Sequence, residues 1–256
     1  YEFVFGDWSS DVCSSDLLLL LLNVLRLRIK INLRLVLVSL ILFLVVSINH
    51  SQSNAIDSIT LLIKTTEGKK RVDLYNELAS FYWGIDNKKL NENIENALKE
   101  ANLINYKKGI ALALSNKGIA FSYSSMYDSA IFYHRKSLGI RRAINDKIGI
   151  SNSIDNLGME YYYMGFYKEA LDYHLESLSI RQKIKYKKGI QASFNNIAND
   201  YDAMGDFVRA LEFHKKSLQI SSELENKSDI AASLNNLGNR SDERREGKEC
   251  RYRLHR

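Results

Sequence analysis

The chain has 256 residues, 36 basic and 30 acidic, a net charge of +6 and no proline. Its two cysteines, Cys13 and Cys250, sit near opposite ends, which excludes a disulfide framework, a thiolate metal site and a cysteine nucleophile in the 200-odd residues between them. The positive charge is also peripheral: residues 54–239 hold 25 basic and 22 acidic residues, a net +3, too weak to argue for a nucleic-acid surface.

Residues 1–17 (YEFVFGDWSSDVCSSDL) resemble a translated sequencing-adaptor peptide, and residues 240–256 (RSDERREGKECRYRLHR) resemble its opposite-strand counterpart. Both are set aside from fold reasoning, as a fusion scar would be. Residues 18–53 carry a basic run (Arg26, Arg28, Lys30, Arg34), then an apolar stretch from Leu35 to Val46 interrupted by Ser39, then a polar exit with Ser51 and Ser53 two apart. That order predicts a secretory signal peptide. Its 12 residues make about 18 Å of helix, short of a bilayer core of roughly 30 Å. Cleavage near Ser53 is expected, with an uncleaved anchor as the alternative. Either way the rest of the chain is expected to be exported across the inner membrane, periplasmic or membrane-anchored. Any membrane contact is expected only through this segment or through a span beyond the sequence.

Residues 54–69 read as a lead-in, with Leu61, Leu62 and Ile63 available to pack as a capping helix and Gly68 closing it. From 70 to 239 a 40-residue period takes over. Ala130, Ala170 and Ala210 recur at equal offsets, as do His134, His174 and His214, and Ser137, Ser177 and Ser217. Asparagine recurs five times, at Asn76, Asn116, Asn156, Asn196 and Asn236. A period of this size means stacked structural repeats. Within one unit, Ile154, Leu157, Gly158 and Tyr161 follow the three-and-four spacing of an amphipathic helix. Gly165 suits the left-handed position that ends it. Ala170, Leu171, His174, Ser177, Leu178 and Arg181 mark a second helix. Asn145-Asp146 and Ser228-Asp229 are the expected N-caps of the next units. Small residues at 118, 158 and 198 and at 130, 170 and 210 predict close helix–helix approach.

These residues carry a family resemblance. The order apolar, Leu-Gly, aromatic, Ala is met by Ile154, Leu157, Gly158, Tyr161 and Ala170. It is met again by Phe194, Ile197, Ala198, Tyr201 and Ala210, and more loosely by Leu114, Lys117, Gly118, Phe121 and Ala130. It resembles the tetratricopeptide repeat (TPR), in a long variant of 40 residues where the usual unit has 34. A histidine stands where an aromatic is usual. The longer unit is similar to the repeats of kinesin light chains and some bacterial signalling proteins. The resemblance implies an all-α superhelical solenoid of antiparallel helical hairpins, with about four units and a truncated fifth. It also implies that the first helix of each unit lines a concave groove that binds a protein or peptide partner. Because the fifth unit stops inside its first helix, the native stack is expected to continue past Asn239.

Chemistry is sparse. Three histidines one repeat apart lie about 10 Å from each other and cannot share a metal that needs its ligands at about 2 Å. They read as packing residues with a polar edge. No phosphate-binding glycine loop is present, and no cofactor, metal or catalytic residue is expected. The asparagine column is the stronger signal, since asparagine is not favoured within helices. Its amide presents a donor and an acceptor together. Asn76, Asn116, Asn156, Asn196 and Asn236 therefore read either as a ladder that grips a peptide backbone or as bonds that set repeat register. By register, Tyr75, Trp83, Tyr123, Asp155, Met159, Tyr162, Asn195, Asn199 and Asn235 flank the groove. Tyr123, Tyr162, Tyr163 and Asn199 are the expected selectivity contacts, with Tyr161 in the core. The expected function is a non-enzymatic peptide- or protein-binding scaffold or adaptor. The alternative is the extracytoplasmic sensor region of a truncated transmembrane histidine kinase or transcriptional regulator.

Overall fold

A computed structural model describes residues 54–236. The adaptor-like ends, the signal segment and the last repeat residues, Leu237, Gly238 and Asn239, lie outside the described residues. The chain divides into two units, Tyr1–Ser58 and Ile59–Arg256. Only the last five residues of the first are described, and they are helical.

The described residues form ten helices and no strand. They are α1 (residues 54–65), α2 (Gly68–Phe81), α3 (Asn87–Leu103), α4 (Lys107–Tyr123), α5 (Tyr127–Ala143), α6 (Lys147–Tyr163), α7 (Tyr167–Lys183), α8 (Lys187–Ala203), α9 (Phe207–Glu223) and α10 (residues 227–236). From α3 to α9 every helix has 17 residues, about 25 Å of rise. Three-residue turns separate them, so two helices and two turns make up the 40-residue period. The all-α repeat architecture read from the period is the architecture observed.

The turns are identical in mechanism. Asn105, Ser125, Asn145, Gly165, Lys185, Gly205 and Glu225 each take a positive φ, between 51° and 84°. The next residue's N–H then reaches back to the fifth residue before it: Tyr106 to Ala101 O at 2.8 Å, Asp146 to Arg141 O at 3.0 Å, Phe166 to Tyr161 O at 2.9 Å, Asp206 to Tyr201 O at 2.8 Å. This is the Schellman closure, which satisfies carbonyls the helix end leaves unpaired. Gly165 takes its expected place. Asn145 turns out to close α5 rather than cap α6, while Asp146 alone caps, accepting from Gly149 N–H at 3.0 Å. At the last start the cap is Asn226, whose Oδ1 accepts from Ser228 N–H at 3.2 Å and Asp229 N–H at 3.4 Å. The sequence reading placed that cap two residues late, because Ser-Asp is as good a capping pair as Asn-Lys-Ser when judged by residue type alone.

Hairpins α2–α3, α4–α5, α6–α7 and α8–α9 pack in series, and first helices also meet: α2 with α4, α6 with α8. One apolar cluster joins Leu138, Ile150, Ile154 and Leu157, with Ile131, Tyr173 and Ile180 against it. Another joins Val72, Ala101 and Ile110. Between the layers the serine column is wholly buried. Ser137 donates to Ala111 O at 2.6 Å, Ser177 to Ser151 O at 3.0 Å and Ser217 to Gln191 O at 3.3 Å. Each bond runs from a second helix to the first helix of its own hairpin, so the register of the hairpin is fixed by hydrogen bonding as well as by packing.

Candidate functional site

The asparagine column runs along the first helices, and its geometry is directional. Asn116 Nδ2 donates to Asn76 O at 3.1 Å and Asn76 Oδ1 at 3.3 Å. Asn156 Nδ2 donates to Ser115 Oγ at 3.1 Å, Asn196 Nδ2 to Asp155 Oδ2 at 3.2 Å and Asn236 Nδ2 to Asn195 Oδ1 at 2.9 Å. Asn76, in the first unit, bonds Val72 O within its own helix and Gly109 O of α4. From Asn116 on, the amide nitrogen of each first helix thus holds the first helix before it. Asn76 and Asn116 are buried, whereas Asn156, Asn196 and Asn236 are half-buried. Asp155 and Asn195, read from the sequence as groove positions, are the acceptors of the bonds from Asn196 and Asn236.

Arginine makes the complementary connection from second helices. Arg181, on α7, is buried and donates to Gly189 O at 3.2 Å, Ser193 Oγ at 2.7 Å, Asp155 Oδ1 at 3.0 Å and Asn152 Oδ1 at 3.0 Å. Arg141 repeats two of these, to Gly149 O at 2.7 Å and Ser153 Oγ at 2.9 Å. Burial holds the Arg141 guanidinium below its usual range, with Asp146 acting in the opposite sense. The sequence placed Arg181 on the inward stripe of its helix but offered no partner for it. Two partners, Asp155 and Asn152, lie on α6 of the same hairpin, and the other two, Gly189 and Ser193, lie in the next unit and are reached only when the units stack.

The histidines are buried between helices, and His134 and His174 each have a second neighbour that the sequence did not disclose. A Cβ on Gly118 would lie 2.5 Å from His134 Cε1, and one on Gly158 would lie 2.6 Å from His174. The small-residue column of the first helix therefore exists to seat the histidine ring of the second. On the other side the rings of His134 and His174 each face a carboxylate of the next unit. His174 Nδ1 meets Asp200 Oδ2 at 2.6 Å, with both side chains buried. Burial raises the Asp200 carboxyl above its ordinary value, and the bond to His174 opposes that shift. His134 Nε2 lies 3.4 Å from Glu160 Oε1, and neither of its ring nitrogens has a hydrogen-bond partner.

That looser pair borders a cavity of about 420 Å³ lined by Trp83, Ile119, Ser122, Tyr123, Tyr127, His134, Asn156, Met159, Glu160 and Tyr163. It collects side chains from α4, α5, α6 and the α2–α3 turn. Tyr127 and Tyr163 are stacked, with centroids 6.1 Å apart at 22°. Tyr123 lies over Gly84, where an added Cβ would come within 2.8 Å of its ring. Gly84 has φ +68°, so its turn both needs glycine and leaves room for the tyrosine. Tyr123 and Tyr163 are exposed, and Glu160 is 2% exposed. Trp83 Nε1 and Glu160 Oε2 are both buried without a hydrogen-bond partner. The Tyr163 phenol is pushed up by burial first, then by the Glu160 charge and by the neighbouring tyrosines Tyr123, Tyr162 and Tyr127. These groups therefore share one electrostatic environment.

Of the residues singled out from sequence, Tyr123, Tyr163 and Asn156 come together here, joined by the flanking positions Trp83 and Met159. Tyr162 does not line the cavity. It packs on Tyr167 at 5.4 Å and edge-on to Tyr163 at 5.9 Å. Asn199 is half-buried on α8 and does not line the cavity, and Tyr161, expected in the core, is half-buried and stacks on Tyr173 at 5.2 Å. Tyr127 and Glu160 were missed. Glu160 shares a repeat position with Ala120 and Asp200, so only the contrast among the three could have marked it. Among the described residues no group of histidine and acid side chains could hold a metal.

Two family models, each described as tetratricopeptide repeat, match residues 109–183 and residues 191–229. No curated protein matches the sequence. Among solved structures, BtubC (BKLC) from P. vanneervenii superposes with a TM-score of 0.58 at 19% identity, over 75% of this chain and 81% of that one. A Rap protein complexed with competence and sporulation factor gives 0.65 at 16% identity, over 75% of this chain and 59% of that one. The nearly identical TPR-like repeats of a Podosopora anserina putative kinesin light chain give 0.53 at 17%, over 74% and 94%. At these identities the likeness is one of fold. Taken with the 40-residue period, the Gly/Ala columns and the stacked hairpins, the matches identify residues 109–183 and 191–229 as tetratricopeptide repeats.

Proposed function

We propose that the chain is a non-enzymatic peptide- or protein-binding scaffold, and that the aromatic cavity beside α4 and α6 is where a partner anchors. The observation that carries this reading is the convergence of Trp83, Tyr123, Tyr127 and Tyr163 on one opening of about 420 Å³. Large aromatic side chains in a pocket are the usual anchors of protein recognition, and the volume falls in the range of ligand sites. Asn156 supplies an amide at the rim. Asn196, Asn199 and Asn236 extend the same polar row along later first helices, whereas the buried Asn76 and Asn116 serve the stack itself. The Rap structure named above was solved with a bound factor, and its fold likeness supports a role in binding.

The test is selection of binders from a random peptide library by the full chain. Affinity for the selected peptides is expected to fall at least about tenfold in a Tyr123→Ala/Tyr163→Ala variant, the loss of one strong anchor or more. Unchanged affinity overturns the reading. Export is part of the same proposal and rests on the basic run and the apolar segment Leu35–Val46. Fusing residues 1–70 to a phosphatase that is active only outside the cytoplasm tests it, with an inactive fusion as the contrary result. The sensor reading rests on the same segment. Its test is the reading frame beyond the present sequence, where a second hydrophobic span followed by kinase motifs would favour it.

A further inference from the structure

Within that reading, we infer that the cavity accepts a cationic side chain of the partner, a lysine ammonium or an arginine guanidinium, with Glu160 as its counter-charge and the surrounding aromatic rings as its walls.

His134 and His174 hold the same repeat position and face acids at the same position of the next unit, Glu160 and Asp200. In the second case the pair is closed at 2.6 Å. In the first the separation is 3.4 Å and no hydrogen bond forms. The cavity lies beside this open pair, and both Glu160 and His134 are among its walls. A carboxylate left without hydrogen bonds away from water is costly, and Glu160 Oε2 is in that position. A cation brought to the cavity relieves this cost by charge-assisted hydrogen bonding.

The rest of the lining fits a cation and no other ionic class. Glu160 is the only carboxylate there, and neither lysine nor arginine contributes to the wall, so an anion would meet repulsion with nothing to offset it. Tyrosine and tryptophan faces attract cations, more strongly where water is excluded. The protein already uses this contact outside the cavity, with Lys117 over Tyr133 at 5.4 Å and Arg209 over Tyr201 at 4.6 Å. Apolar walls from Ile119 and Met159 suit the methylene stem of such a side chain.

Trp83 gives a direct readout. In a Trp8→Phe background of the full chain, Trp83 fluorescence is titrated with N-acetyl-lysine methylamide, N-acetyl-arginine methylamide, the uncharged N-acetyl-norleucine methylamide and the anionic N-acetyl-glutamate methylamide. The cationic probes are expected to saturate the signal at concentrations at least about tenfold below norleucine, and the anionic probe to give no response. Glu160→Gln is expected to remove the preference for cations while norleucine affinity stays the same. Should that variant lose helicity by circular dichroism, Tyr163→Leu at the exposed rim replaces it and is expected to weaken the cationic probes several-fold. Equal affinity for lysine and norleucine probes, or a cationic preference that survives Glu160→Gln, overturns the inference. Silence of every probe overturns it too. The broader reading fails separately, when selected peptides ignore the Tyr123→Ala/Tyr163→Ala change. It survives the present inference if selected peptides depend on those tyrosines but carry no basic residue.

Discussion

Arg181→Met removes a guanidinium that binds four groups, two on α6 of its own hairpin and two on α8 of the next, with the side chain 4% exposed. Methionine keeps much of the apolar stem, so the variant isolates the charge and its hydrogen bonds. It leaves Gly189 O, Ser193 Oγ and Asn152 Oδ1 each short of a donor and strips Asp155 of its cation. Breaking a buried ion pair on one side costs about 3–5 kcal/mol. Asp155 is 13% exposed and keeps the Asn196 amide, which places the expected loss near the lower end, about 3 kcal/mol. For a folded region of this length that is a fall in Tm of roughly 6–12 °C. Urea and thermal unfolding followed by circular dichroism measure it, with Lys216→Ala as the control. Lys216 pairs with Glu212 on an exposed helix face, and such a pair is worth about 1 kcal/mol at most. If Arg181→Met costs no more than Lys216→Ala, the inter-unit arginine bonds do not hold the stack together and the argument fails.

Gly158→Val places a side chain against His174 and the Ala170 carbonyl, where even a Cβ would sit at 2.6 and 3.2 Å. It is expected to destabilise by about 1–3 kcal/mol in the same assay, and His174→Ala is expected to restore part of the loss. Asn116→Ala removes a buried double donation to Asn76 and is expected to cost about 1–3 kcal/mol, whereas Asn156→Ala at the cavity rim is expected to weaken selected peptides with helicity retained. The Tyr106 hydroxyl is pushed up to about 12 by burial first and then by Asp73, which accepts its hydrogen bond at 3.3 Å. Its unfolded counterpart ionises near 10. Between these values the folded chain holds a proton that the unfolded chain has lost, so stability falls as pH rises through that window. Tyr106→Phe is expected to flatten the slope, as measured by urea midpoints from pH 9 to 12.

The repeat was legible because a solenoid repeats its contacts, so residues with one environment recur at one spacing. The turns show the limit of that rule. Gly165 and Gly205 announce their left-handed φ, but Ser125, Lys185 and Glu225 adopt the same conformation without a residue type that favours it. There the Schellman hydrogen bonds and the packing of both flanking helices outweigh local preference. The site shows the same division. Tyr123, Tyr163 and Asn156 were reachable from the register of the first helices. Tyr127 begins a second helix, and its place in the cavity depends on how far one hairpin is offset from the next.

The sequence alone determined the period, the two helices per unit and the inward columns, since hydrophobic spacing and residue size act within a single helix or hairpin. Stacking decided the partners. The acceptors of the asparagines from Asn116 on and the carboxylates facing His134 and His174 come from the previous or the next unit, 26 to 41 residues away in the chain, and Arg181 reaches Gly189 O and Ser193 Oγ of the next unit as well as α6 of its own. A closed pair at His174–Asp200 and an open one at His134–Glu160 occupy the same repeat positions. The cavity belongs to the open one, because the aromatic side chains meet around that pair only once neighbouring hairpins are in place.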